Sequence, residues 1–157
     1  MIKFLHKFQY WKSGKGENFN IVEVFKKIKN LKPLEIHVGS DSQVIKQDVA
    51  YVSAICLTWP GKGGIYFIHK NVIPHKTKLN LQSRLLEEVQ RSLEIAEQLK
   101  SHTEKKIIVH IDANQQAIHK SAKYAKMLKN YVLAMGYQYL LKPDSWASGS
   151  VADRYTK

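Results

Sequence analysis

The chain has a single cysteine, Cys56, which excludes an intrachain disulfide, and its place in the apolar run VSAICL reads as a buried thiol rather than a nucleophile. No apolar run approaches the ~18 residues a membrane span requires. Met1 opens no signal-peptide pattern, so the expectation is a cytoplasmic protein with no membrane partner. The seven histidines show no tetrahedral zinc spacing, and His69, His75, His102 and His119 read as surface or loop residues. Internal repeats, low-complexity tracts and interdomain linkers are lacking too. Acidic residues are scarce, 13 against 25 Lys and Arg, leaving a formal charge of +12 on 157 residues. That length suits one domain with a real core, and that charge points to a polyanionic partner such as nucleic acid, with a merely solubilising surface as the alternative.

Residues 1–33 carry eight Lys and two Glu, hence half of the net charge, and read as a basic N-terminal extension to a domain spanning 34–157. Within the extension, KSGKGENFN is a loop by composition. NIVEVFKKIKNL then reads as a short amphipathic helix, with Asn20 as N-cap, Ile21, Val24, Phe25 and Ile28 on one face, and Pro33 as its stop. From Leu34 the signals turn to strands. LEIHVGS alternates, VAYVSAICLTW is a longer apolar run, and GGIYFIHKNVI follows the turn Pro60–Gly64, so the three form an antiparallel meander.

The period changes after Asn80, where Leu85, Leu86, Val89, Leu93 and Ala96 mark one helical face. KIIVHID is a compact buried strand consistent with a parallel crossover. A second helix is expected from about Ala117 to Met135, with Ile118, Ala122, Ala125, Leu128 and Val132 on its apolar side. YQYLLKP gives a fifth strand, and SWASGSVADRYTK a terminal helix capped by Ser148 or Ser150.

Three aspartates stand where this order of elements would present them at one end of a sheet: Asp41 in HVGSDSQ, Asp112 in IVHIDAN and Asp153 in SVADRYTK. Carboxylates converging from distant stretches of a basic chain suggest divalent-metal and phosphate chemistry. Each has a plainer reading. Asp41 suits an Asx turn in Gly39–Ser42, Asp112 a strand-end cap, and Asp153 the first turn of a helix. His37 and His110 precede Asp41 and Asp112 by even offsets along their strands, which puts them on the carboxylate faces as proton shuttles or, more plainly, as histidines bonded to a carboxylate or backbone group.

The order of three strands, helix, strand, helix, strand, helix, with GSDSQ, IDAN, Lys142–Pro143 and the terminal ASGSVADRYTK, resembles the YkuK-type family of bacterial ribonuclease-H-like proteins over nearly the whole chain. The resemblance implies an α/β fold with a mixed five-stranded sheet flanked by helices, and a two-metal site for Mg²⁺ or Mn²⁺. In that site Asp41 would be the bridging ligand, joined by Asp112, Asp153 and a glutamate from the first helix. Glu87 and Glu88 compete for that part. Relative to the apolar stripe, Glu88 is displaced by roughly a quarter turn and Glu87 by nearly half a turn, so Glu88 is expected to lean over the sheet edge while Glu87 pairs with Arg84 or Arg91 on a solvated face.

For substrate contact, Lys120, Lys123 and Lys126 fall opposite the apolar side of the second helix. From His119 to Lys142 there are five lysines and no acidic residue. Lys142 and Arg154 are further candidates for phosphate, and Tyr10, Trp11 and Trp59 for base stacking. The leading expectation is a metal-dependent nuclease acting on RNA, an RNA/DNA hybrid or structured DNA. The alternatives are a catalytically weak nucleic-acid-binding module of the same fold, and a chain whose basic N-terminal region docks a partner protein.

Overall fold

The computed structural model describes residues 2–75 and 80–156. Helix α1 (Ile2–Lys7) leads into a hairpin of β1 (Tyr10–Ser13) and β2 (Asn18–Asn20), and α2 (Ile21–Leu31) follows directly. Asn20 caps α2 as expected: its Oδ1 accepts the Glu23 N–H at 2.8 Å while Glu23 Oε1 accepts the Asn20 N–H at 3.1 Å. The helix closes on Lys32 at φ 50°, just before Pro33, and buries Ile21, Val24, Phe25 and Ile28.

The meander comprises β3 (Glu35–Ile45), β4 (Asp48–Thr58) and β5 (Gly64–Pro74), paired antiparallel along their full length. Helix α3 (Leu81–Lys100) crosses to β6 (Lys106–Asn114), which runs parallel to β3; α4 (Ala122–Ala134) crosses to β7 (Gln138–Lys142), parallel to β6. The chain ends in a π-helical turn, Ala147–Ala152, and a 3₁₀ turn, Asp153–Tyr155. The fold is the expected mixed α/β sheet flanked by helices, in the order β2-β1-β5-β4-β3-β6-β7.

The sheet has seven strands where five were expected. The additional pair is the β1–β2 hairpin, added to the β5 edge through Lys12↔Ile68 and Ser13↔Phe67. Strands of four and three residues rich in Lys, Ser and Asn carry little local strand signal; the edge that stabilises them lies more than fifty residues away. Phe4, Phe8 and Trp11 of the first 33 residues are buried in the same cluster as Ile36, Val38 and Ile55. His69, expected at the surface, is buried too: its ring packs on Phe8 and Trp11, and its Nδ1–H donates to the Tyr10 carbonyl at 2.8 Å.

Two further expectations are corrected. Helix α4 starts at Ala122 rather than near Ala117, because Asn114 Oδ1 accepts the Gln116 N–H and Ser121 Oγ accepts the Asn114 N–H, which hold the intervening residues in a turn. Ile118 is accordingly 86% exposed, while Ala125, Leu128 and Val132 are buried. At the C-terminus, Ser148 does not cap a helix; it is buried, and its hydroxyl donates to the Ser145 carbonyl at 3.0 Å.

The main core lies between one face of the sheet and α1–α4. Among the described residues, the opposite face is covered by the C-terminal turns, whose Ala147 and Ala152 pack on Val52, Ala54, Cys56 and Ile68. Contact there is backbone to backbone: a Cβ on Gly39 would lie 2.6 Å from the Ser148 nitrogen. Cys56 is a buried free thiol. Among the described residues no helix is long and apolar enough to cross a membrane.

Candidate metal centre

The parallel pairing of β3 with β6 stops at Gly39↔His110, and Asp41 and Asp112 each stand two residues beyond that last pair. The β6–β7 register also slips between His110 and Asn114. The two strands therefore part where both carry an aspartate, and alternation puts both side chains on the face of the C-terminal turns. Glu88 reaches the same point from α3.

Its approach is set by matched periods. Ser40 Oγ lies 2.8 Å from Ser92 Oγ on α3 and 2.8 Å from Ser53 Oγ on β4. Two residues along β3 advance about 6.7 Å, and four residues back along α3 about 6 Å, so Ser42 meets Glu88. The Ser42 hydroxyl donates to Glu88 Oε2 at 2.7 Å, while Arg84 donates to the Ser42 hydroxyl at 3.2 Å and to its carbonyl at 3.1 Å. Arg84 thus braces the strand; it is Arg91 that pairs with Glu87, at 2.9 Å, and Glu87 is not part of the carboxylate group described below.

Asp41, Glu88 and Asp112 each offer a carboxylate oxygen, and the three atoms lie within 4.8 Å of one another. Asp41 is 7% and Glu88 3% exposed. Burial, reinforced by the Asp112 carboxyl beside it, the charge of Glu88 and the carboxyl of Asp153, raises Asp41 from its ordinary 3.8 to about 10. Glu88 is also raised, by burial first and then by the charge of Asp112, against the opposing Ser42 hydrogen bond and the Arg84 charge. Lys142 Nζ stands 2.9 Å from Asp112 Oδ1. Burial would lower this lysine, but the hydrogen bond and charge of Asp112, with the charges of Asp41 and Glu88, carry it above its ordinary value.

The donor set fits a hard divalent cation. It consists of carboxylate oxygens from three separate elements, and Glu88 Oε1 is buried without a hydrogen-bond partner while Oε2 is held by Ser42. Gln43 Oε1, on the wall of the same cavity, is likewise buried and unpartnered. The cavity, about 370 Å³, also takes in Lys142, Asp153 and Thr156. Asp153 thus joins the carboxylate cavity but stands outside the tight group of three.

The C-terminal turns are held there by two histidines. The Ala147 N–H donates to His110 Nδ1 at 3.0 Å, so in the neutral ring Nε2 carries the proton and donates to His37 Nδ1 at 2.8 Å. His37 Nε2 then faces Glu35 Oε1 at 3.6 Å. Burial, with the adjacent His37, lowers His110 to about 3, and burial lowers His37 as well, so both rings are neutral near pH 7. Trp146 packs on both rings.

The expected phosphate contacts divide. Lys142 sits inside the carboxylate cavity, and Arg154 at the far side of the C-terminal turn. Lys120 and Lys123 line a separate open cavity of about 680 Å³ with Gln115 and Tyr124, and Lys126 a smaller one beside it. Sequence reasoning missed Arg84, whose spacing to Glu87 suggested an ordinary helical ion pair; Ser42 in GSDSQ was the available clue.

A family model described as Ribonuclease H-like matches residues 17–157. No curated protein matches the chain. Among solved structures, RNase H1 from the halophilic archaeon Halobacterium salinarum NRC-1 is similar at 15% identity and TM-score 0.42, over 76% of this chain and 96% of that one. The N-terminal RNase H domain of Rv2228c from Mycobacterium tuberculosis, solved as a maltose-binding-protein fusion, is similar at 10% identity and TM-score 0.39, over 77% of this chain and 95% of that one.

Proposed function

The chain belongs to the ribonuclease H-like family, and from that premise we propose that it is a divalent-metal-dependent nuclease hydrolysing phosphodiester bonds of RNA, RNA/DNA hybrid or structured DNA. The observation that carries this reading is that Glu88, whose Oε1 is buried and unpartnered, offers a carboxylate oxygen within 4.8 Å of aspartate oxygens from two other elements. Asp41, Glu88 and Asp112 would hold Mg²⁺ or Mn²⁺, with Asp153 as a further ligand from the cavity wall. Bound there, such ions supply an activated water and stabilise the leaving oxygen.

The remaining roles fall to the chain's own groups. Ser42, braced by Arg84, holds one oxygen of Glu88 and leaves the other free to bind. Lys142 balances Asp112 in the resting protein and can swing its ammonium toward an incoming phosphate, since its side chain is 43% exposed. His110, through Ala147, keeps the segment bearing Asp153 against the sheet. Lys120, Lys123, Lys126 and Arg154 would contact phosphates without reading sequence, giving salt-sensitive affinity.

Purified protein with Mn²⁺ or Mg²⁺ should cut at least one of a hybrid, a single-stranded RNA and a branched DNA, and Asp41→Asn should abolish the cleavage. Failure to cut any of them, or equal cutting by the variant, removes the assignment. The ion pair between Lys142 and Asp112 favours a second reading, in which an internal cation replaces the metal and the fold only binds nucleic acid. Salt-dependent binding with no metal-dependent turnover would select it.

A further inference from the structure

On the same sheet face as the carboxylates, a groove of about 450 Å³ runs between β1, β5 and the C-terminal 3₁₀ turn. We infer that this groove binds the unpaired bases of a single-stranded nucleic-acid segment, carrying the strand away from the acidic centre. The inference rests on the reading of that centre as a nucleic-acid site.

The cross-strand register places the groove. Asp41 pairs with Val52, and Val52 with Lys70, so Lys70 stands two strands from Asp41 on the same face, about 10 Å away at the usual strand spacing. Likewise Gly39 pairs with Ala54, Ala54 with Ile68, and Ile68 with Lys12, which brings β1 onto this face. The C-terminal turn joins the two sites, since Asp153 lines the carboxylate cavity while Arg154 and Tyr155 line the groove.

The groove's chemistry suits bases as well as phosphates. Its floor is Ile68, 7% exposed, and its walls are the rings of Tyr10 and Tyr155. Tyr10 is 73% exposed although its backbone is pinned by His69, so a large ring is presented to solvent from a fixed position. The Tyr155 ring is likewise held, its hydroxyl 2.5 Å from that of Tyr66. Lys12, Lys70 and Arg154 supply the rim, and no acidic side chain among the described residues lines it. A site for phosphate alone has no use for two aromatic walls over an apolar floor, whereas stacked bases do. In a duplex those base faces are already covered, so the occupant is single-stranded.

Fluorescence anisotropy in EDTA, which separates binding from cleavage, tests this with a labelled oligothymidylate and a blunt duplex of equal length. Tyr10→Ala should weaken single-strand binding by about tenfold and duplex binding by no more than about twofold, the size expected for one lost stacking partner. Tyr10→Trp should restore the single-strand affinity, and Lys12→Ala should lower the salt slope by about 0.7. Lys29→Ala, on the exposed side of α2, serves as the remote control and should bind as wild type does. The proposal is overturned if wild type does not bind the oligothymidylate, if Tyr10→Ala leaves single-strand affinity unchanged, or if it weakens the duplex equally. A wild type that shows the Tyr10 dependence yet cuts nothing with Mn²⁺ supports the groove and removes the nuclease. One that cuts while Tyr10→Ala binds unchanged removes the groove alone.

Discussion

Replacing Asp41 with asparagine should make the metal-free protein more stable while abolishing its stabilisation by Mn²⁺. In the folded chain Asp41 is raised from 3.8 to about 10, so between those values the folded state holds a proton that the unfolded state releases. Stability linked to this group therefore falls as pH rises from about 4 toward 10. At about 1.4 kcal/mol per pH unit, the interval from 3.8 to neutrality amounts to roughly 4 kcal/mol as a ceiling. Asparagine has nearly the same shape without this liability. A gain of about 2 kcal/mol would raise Tm by roughly 4–8 °C for a chain of this length. Thermal melts of both proteins in EDTA at pH 5 and pH 8 check the sign: the gap should widen at pH 8. With Mn²⁺ at 100 times its Kd, wild type should gain about 2.7 kcal/mol and the variant almost nothing, inverting the order. A variant that loses equal stability at both pH values, or a gap between the two proteins that narrows from pH 5 to pH 8 without metal, would refute the reasoning; the buried histidines, common to both proteins, cancel in that gap.

Glu88→Gln should keep an acceptor for the Ser42 hydroxyl, so metal-free stability should hold or rise while titration calorimetry shows Mn²⁺ affinity reduced at least tenfold. Lys142→Met removes the cation beside Asp112; Mn²⁺ should bind several-fold more tightly, as read by calorimetry, and single-turnover cleavage should slow because a phosphate contact is lost. Gly39→Ala drives a Cβ to within 2.6 Å of the Ser148 nitrogen, so denaturant melts should show a loss of about 1–3 kcal/mol as the C-terminal turns are displaced.

Much of the candidate site's arrangement was legible because its geometry follows from short-range periods. Even spacing along β3 and β6 puts His37 with Asp41 and His110 with Asp112 on one face, and the helical stripe of α3 separates Glu88 from Glu87. The readings that failed depend on partners remote in sequence. His69 carries no local sign of burial; Phe8 and Trp11 enclose it only once β1 has joined β5. Arg84 has the spacing of a surface ion pair and becomes a brace only because α3 lies across Ser42.

The sequence by itself determined the order of elements, the meander, the cap at Asn20 and the carriers of the carboxylates, since alternation, helical stripes and turn residues act over a few positions. Tertiary structure decided that the strands part beyond Gly39 and His110, that Glu88 is left with one unpartnered oxygen, that Lys142 neutralises Asp112, and that the N-terminal hairpin extends the sheet face bearing the acidic centre. Those outcomes depend on burial and on charges brought together from opposite ends of the chain, and neither is a property of any local stretch of residues.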